Sequence, residues 1–91
     1  MIETLYIHTD EYYYEIIRKN IKKYRKEKNL TQQDLADLVG ISRQYITDIE
    51  NENRNKHITI AILGRIADSL NIDIELFIRK YFYIYIIPKQ N

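Results

Sequence analysis

Residues 31–51 constrain the fold more than any other part of the chain, because they predict two short helices around one sharp turn. The first helix has an apolar stripe at helical spacing that consists of Leu35, Ala36 and Val39. Gly40 follows at the point where a left-handed residue ends a helix, a conformation that glycine adopts without steric cost. Ser42 is a favourable N-cap for the second helix, whose apolar face consists of Ile46 and Ile49.

The outer face of the second helix is polar. It carries Arg43, Gln44, Thr47 and Asp48, with Tyr45 at its edge. Two short helices at a steep angle, with arginine and glutamine near the N-terminus of the second, are typical of a helix-turn-helix. In that motif the second helix enters the DNA major groove. The pattern therefore predicts sequence-specific binding of double-stranded DNA.

The unit that starts at Gln32 resembles the lambda-repressor/Cro-like (XRE-type) helix-turn-helix family. The family's diagnostic alanine, glycine and aliphatic positions are all filled, by Ala36, Gly40, Leu35, Val39, Ile41, Ile46 and Ile49. Residues 24–32, YRKEKNLTQ, are similar to the family's LRKEKGLTQ, and residues 60–78 are similar to its two closing helices. The resemblance covers roughly residues 12–78 and implies a mainly α, five-helix DNA-binding domain.

Start and stop signals divide the chain into five helices. We expect Asp10 to cap a first helix from Glu11 to Lys28, and Asn29 to close it in the left-handed conformation. The caps predicted for the next three helices are Thr31, Ser42 and Thr59. The fourth helix should end at Asn71 and bury Ile60, Leu63, Ile66, Ala67 and Leu70, and a short fifth should follow Asp73 and bury Leu76 and Phe77. Gly64 inside the fourth helix suggests close approach of a neighbour.

At the two ends of the chain, the apolar residues do not follow helical spacing. Alternation in residues 1–10 and the apolar run 81–87 predict short β-strands on either side of a domain spanning residues 11–78. A strand this apolar must be covered or paired. We therefore expect the tail, residues 79–91, to join a small sheet that carries a homodimer interface made by Tyr81, Phe82, Tyr83, Ile84, Tyr85 and Ile86. The alternative is an extension of the fifth helix.

Positive charge is local rather than global. The formal net charge is only +1, yet half of the fourteen basic side chains lie between positions 18 and 28: Arg18, Lys19, Lys22, Lys23, Arg25, Lys26 and Lys28. A basic run is commonly just a solvated helix face. Beside a helix-turn-helix, it predicts phosphate contact at one end of the run.

The resemblance assigns roles to individual residues. Family positions that read base edges fall on Arg43, Gln44 and Thr47, and Asp48 lies on the same face. The residues expected to contact the phosphate backbone are Gln32, Tyr45, Asn51, Asn53, Arg54, Asn55 and Lys56. Arg25 and Glu50 match a pair that ties the first helix to the end of the third by an ion pair.

Composition argues against other classes of function. The chain has no cysteine, and its two histidines, His8 and His57, have no companion ligands at metal-binding spacing. No nucleophile motif or phosphate-cradling glycine loop is present, so we expect neither an enzyme nor a cofactor. The sequence also lacks a membrane-spanning stretch and a signal-peptide pattern, which predicts a cytoplasmic protein.

These features predict a transcriptional regulator, a repressor, that binds a near-palindromic operator as a homodimer with the recognition helix, residues 42–51, in the major groove. The alternative is a DNA-binding antitoxin or another interaction module whose C-terminal tail binds a partner protein. A homodimeric sheet would bury that tail in the isolated protein, whereas an antitoxin tail would be protease-sensitive.

Overall fold

A computed structural model describes residues 8–54 and 57–80, which form four α-helices and one short 3-10 helix. The α-helices are α1 (Asp10–Glu27), α2 (Gln32–Val39), α3 (Arg43–Glu50) and α4 (Ile60–Leu70). The predicted fifth helix is the 3-10 segment Ile74–Phe77, so its type was wrong although its place was right. The strands predicted at both ends, and with them the proposed dimer interface of residues 81–86, lie outside the described residues.

Short hydroxyl side chains start all four α-helices. Thr31, Ser42 and Thr59 accept hydrogen bonds from the backbone N–H three residues on, at 3.0–3.2 Å, which confirms the three predicted caps. The cap of α1 is Thr9 rather than Asp10, because the Thr9 hydroxyl accepts from the Tyr12 N–H and leaves Asp10 inside the first turn. An acidic residue there still interacts favourably with the helix dipole.

The start of α2 is a complete capping box. The Thr31 hydroxyl accepts from the Asp34 N–H, and the Asp34 carboxylate accepts from the Thr31 N–H at 2.9 Å. The backbone and hydroxyl groups of Thr31 lower the pKa of Asp34 below its ordinary value. The depressed pKa means that this cap stabilises the fold above the ordinary Asp pKa, and that the contribution is lost as the pH falls through the lowered value.

Three helix ends use the left-handed conformation. Asn29, Gly40 and Asn71 have φ of 60°, 82° and 59°. This confirms the left-handed conformation predicted for Asn29 and Gly40, and Asn71 ends α4 as predicted. At Gly40 the end of α2 is also held from α4, because Arg65 donates to the Val39 carbonyl at 2.7 Å.

The core lies where the helices meet, and α2 packs most extensively against α3. Its fully buried apolar side chains, ordered by size, are Phe77, Ile21, Leu35, Ile46, Leu63 and Ile66. Asn20 is buried with them and donates to the carbonyls of Phe77 and Arg79, at 2.7 and 2.8 Å, which ties α1 to the 3-10 helix. Leu76, predicted to be buried, is only half-buried.

Two expectations for α4 are wrong. Ile60 is 70% exposed, because it stands in the first turn of α4 and faces an open cavity beside Tyr13 and Tyr14 instead of the core. Gly64 has no close neighbour in residues 8–54 and 57–80, since a Cβ built there meets nothing within 4 Å. A helical glycine at this position therefore has no packing reason in the described residues.

No helix in the described ranges is both long enough and apolar enough to cross a membrane.

The two glycines should respond to alanine in opposite directions. Gly40→Ala should lower the free energy of unfolding by about 1–2 kcal/mol, because its φ is left-handed and the new Cβ would lie 3.2 Å from Arg65 Nη2. Gly64→Ala should raise it by about 0.5–1 kcal/mol, since alanine loses less conformational entropy in a helix. Urea unfolding curves of both variants measure the difference. A stabilised Gly40→Ala would contradict this account of the turn.

Candidate nucleic-acid interface

The outer face of α3 presents the predicted base-reading residues to solvent. Arg43 and Gln44 are exposed, and Thr47 and Asp48 are half-buried. The Ser42 cap places Arg43 and Gln44 in the first turn of the helix. Within the described residues, Arg43 makes no hydrogen bond or ion pair, so its guanidinium fork is available to a ligand.

Gln44 and Asp48 are engaged with each other. The Gln44 side-chain amide donates to the Asp48 carboxylate at 2.9 Å, one turn along α3. Arg54 approaches the same carboxylate at 3.7 Å, which links the loop after α3 to the helix face. Gln44 therefore has to break its hydrogen bond to Asp48 before its side-chain amide can contact a base.

A buried ion pair holds α3 from behind. Arg25 donates to the Glu50 carboxylate from Nε at 2.7 Å and from Nη2 at 2.9 Å, in the forked geometry that strengthens such pairs. The two side chains are only 8% and 3% exposed. Arg25 also donates to the Leu30 carbonyl at 2.7 Å, so one guanidinium joins α1, the first loop and the end of α3.

Gln32 extends this pair to the surface. Its amide nitrogen donates to Glu50 at 3.1 Å, and its amide oxygen accepts from the Thr47 hydroxyl at 3.0 Å. The side chain predicted to touch phosphate is thus half-buried in a network that joins α2 to α3. The Thr47 hydroxyl is engaged as well, which leaves its methyl group as the group free to meet a base.

The other predicted phosphate contacts that the structure describes lie on α3 or in the turn that follows it. Tyr45 is half-buried and packs against the core. Asn51 caps the helix, and its side-chain oxygen accepts from the Asn53 N–H at 2.9 Å, which fixes the turn that follows. Asn55 and Lys56 lie outside the described residues.

The basic run on α1 is partly neutralised within the chain. Lys19 pairs with Glu15 at 3.1 Å and Lys23 with Glu27 at 3.2 Å, both one turn apart on the helix. The spacing of four residues between an acidic and a basic side chain is the sequence signal that would have predicted these pairs. Arg18 is buried rather than solvated, which sequence reasoning missed because a basic residue in a charged run gives no sign of burial.

The histidines show no arrangement suited to metal. Among the described residues there is no group of three or more His, Cys, Asp or Glu side chains that could hold a metal ion. His57 Nε2 instead lies 2.9 Å from a Glu11 carboxylate oxygen, and its ring stacks on Tyr14 with 4.1 Å between centroids. These contacts join the loop before α4 to the first turns of α1.

The comparison with known families agrees with this geometry. Residues 21–77 match the model of the family HTH_3, described as helix-turn-helix. The chain belongs to this helix-turn-helix family. The XRE-type resemblance stated from the sequence is thereby confirmed.

Individual relatives have regulatory names. The chain is 37% identical over 60 residues to the control protein C.SmaI of Serratia marcescens, which covers 66% of this chain and 69% of that protein. It is 34% identical over 62 residues to the immunity repressor protein of Bacillus phage phi105, which covers 68% of this chain and 42% of the repressor.

Solved structures share the fold. The restriction-modification controller protein C.Esp1396I superposes with a TM-score of 0.66 at 31% identity, over 92% of this chain and 100% of that chain. An HTH_3 transcriptional regulator from Vibrio cholerae superposes with a TM-score of 0.69 at 30% identity, over 76% of this chain and 38% of that one.

Loss of Arg25 and loss of Arg43 should have different effects on stability. Arg25→Ala leaves the Glu50 carboxylate buried without its guanidinium and should lower the free energy of unfolding by about 3–5 kcal/mol. Arg43→Ala removes an exposed side chain and should stay within about 0.5 kcal/mol of the natural protein. Thermal and urea unfolding of the two variants measure this.

The double variant Arg25→Ala, Glu50→Ala provides the control. It should lose less stability than the sum of the two single variants, because no charge is left buried and unpaired. Equal losses from Arg25→Ala and Arg43→Ala would contradict the division between a structural and an exposed arginine.

Proposed function

We propose that this protein is a transcriptional repressor that binds a near-palindromic operator as a homodimer, with α3 in the major groove. The observation that carries the proposal is the exposed first turn of α3, with Arg43 and Gln44, held from behind by the buried Arg25–Glu50 pair. A recognition helix has to present its side chains at a defined depth and angle, and a buried forked ion pair supports that placement.

The side chains suggest which bases are read. Arg43 offers a bidentate fork to guanine O6 and N7, the commonest specific contact in the major groove. Gln44 matches adenine N6 and N7 once its amide leaves Asp48, and Asp48 then becomes free to accept from cytosine N4. Thr47 would offer its methyl group to thymine, because its hydroxyl is bonded to Gln32.

Contacts with the phosphate backbone would come from α3 and its neighbouring segments. One group is Gln32 at the N-terminus of α2, and another is Asn51, Asn53 and Arg54 in the turn after α3. Tyr45 lies in the first turn of α3. Asn55 and Lys56 belong to the same proposed set. Such contacts fix the register of the protein on the duplex without reading its sequence.

A homodimer follows from the reach of one motif. A single recognition helix spans few base pairs, and helix-turn-helix proteins read two half-sites about one helical turn apart through two-fold symmetry. The control protein and the phage repressor to which the chain is similar support a regulatory role. Sedimentation should therefore find a dimer at tens of micromolar, and a monomer there would contradict the proposal.

Selection from a random duplex pool at near-physiological salt tests base reading directly. The natural protein should enrich an inverted repeat, and the variant Arg43→Ala, Gln44→Ala should lose that enrichment while keeping its fold. Each good bidentate contact discriminates by about 1–3 kcal/mol, so losing two abolishes recovery of a defined site.

The matched control removes the same kinds of group from elsewhere. Gln33 donates to Asp37 at 2.8 Å in the same one-turn geometry as Gln44 and Asp48, and Lys23 is a charge on α1. The variant Lys23→Ala, Gln33→Ala should enrich the same inverted repeat as the natural protein. If Arg43→Ala, Gln44→Ala also enriches it, α3 does not read bases.

A further inference from the structure

Arg18 differs in its hydrogen bonding from Arg25, the other buried arginine of α1. Arg18 is 7% exposed, and its Nε atom is fully buried with no hydrogen-bond partner among residues 8–54 and 57–80. Arg25 lies on the same helix and is equally buried at 7%, yet it is held by the Glu50 carboxylate and the Leu30 carbonyl. Because a buried polar group of a cation is costly unless it is paired, the contrast singles out Arg18 as a candidate anion-binding residue.

The acidic groups around Arg18 do not serve as that partner. Glu50 already accepts from Arg25 and Gln32, and Glu15 is paired with Lys19. Glu52 lines a cavity together with Arg18 but is exposed, and in the described residues it forms no ion pair with Arg18.

Arg18 lines a cavity that continues towards the recognition helix. The cavity has a volume of about 170 Å³ and is bounded by Arg18, Lys19, Lys22, Glu50 and Glu52. A second cavity of about 330 Å³ shares Lys22, Glu50 and Glu52 and extends to Gln32, Thr47 and Asn53. The two cavities adjoin at these three shared residues, which places Arg18 close to the residues that support α3.

We propose that Arg18 and Lys22 form a binding site for a tetrahedral phosphate oxyanion. A guanidinium fork matches phosphate oxygens, and Lys22, exposed and without an ion pair in the described part of the chain, adds a second charge. The negative charge of Glu50 does not oppose this, because Arg25 neutralises it. The oxyanion is a phosphodiester of the bound duplex or free inorganic phosphate, and the first source rests on the proposed DNA-binding function.

Three variants on α1 test the site. Arg18→Met keeps the apolar stem and removes the fork, and Arg18→Lys keeps the charge. Lys23→Met is the matched control, since it also removes one charge from α1, but its ammonium group pairs with Glu27 and lies 4.2 Å from the Tyr24 ring centroid. Arg18→Met should melt at the same temperature as the natural protein or higher, because it removes an unpaired buried charge.

The duplex arm measures affinity for the selected operator over a series of salt concentrations. Arg18→Met should bind about tenfold or more weakly, and its log–log salt slope should be smaller by about 1 because one phosphate contact is lost. Arg18→Lys should recover part of the affinity, and Lys23→Met should stay close to the natural protein. Operators in which a single phosphate is replaced by an uncharged methylphosphonate locate the contact. At one linkage, the replacement should weaken binding by the natural protein but leave binding by Arg18→Met unchanged.

The free-anion arm titrates inorganic phosphate into the protein without DNA and follows backbone amide shifts in NMR spectra. Saturable shifts around Arg18 and Lys22 that disappear in Arg18→Met support the free-anion source, whatever the duplex arm shows. An Arg18-dependent salt slope without such shifts supports the phosphodiester source.

The inference is overturned if Arg18→Met matches the natural protein in both arms, or if it melts at a much lower temperature. If the natural protein selects no operator at all, the proposed DNA-binding function has failed, and the phosphate titration then decides the inference alone.

Discussion

The buried pair between Arg25 and Glu50 is the interaction on which the rest of the structure depends. It joins α1 to the last residue of α3, and through Gln32 it also holds the start of α2. Burying two charges is favourable only when the geometry is good and the remaining polar atoms are satisfied. Both conditions hold here, because the fork is bidentate and Leu30 accepts the third guanidinium bond.

This constraint matters because the helix-turn-helix elements are too short to be stable alone. The helices α2 and α3 have eight residues each, well below the length at which an isolated helix persists in water. Three features stabilise these short helices within the domain. They are the N-caps Thr31 and Ser42, the burial of Leu35 and Ile46, and the ion pair behind α3. Buried contacts therefore fix the position of α3, and with it the position of its exposed side chains.

Much of the fold was predictable from local chemistry. Hydroxyl caps, left-handed Asn29, Gly40 and Asn71, and the apolar stripes each act within a few residues, so sequence spacing reveals them. The wrong predictions concern caps, exposure and packing space, which depend on the surrounding residues as well as on the local pattern. Thr9 rather than Asp10 caps α1, and Ile60 is exposed in the first turn of α4. A Cβ built on Gly64 meets no neighbour within the described part of the chain.

The sequence by itself determined which segments become helices and which face of α3 stays polar, because both follow from spacing, capping and turn chemistry. Only the tertiary structure decided what the polar side chains do. It placed Gln32 between Glu50 and Thr47, and it buried Arg18 Nε without a hydrogen-bond partner among the described residues. Those outcomes depend on contacts between residues far apart in the chain, where the local pattern shows charge and polarity but neither burial nor partner.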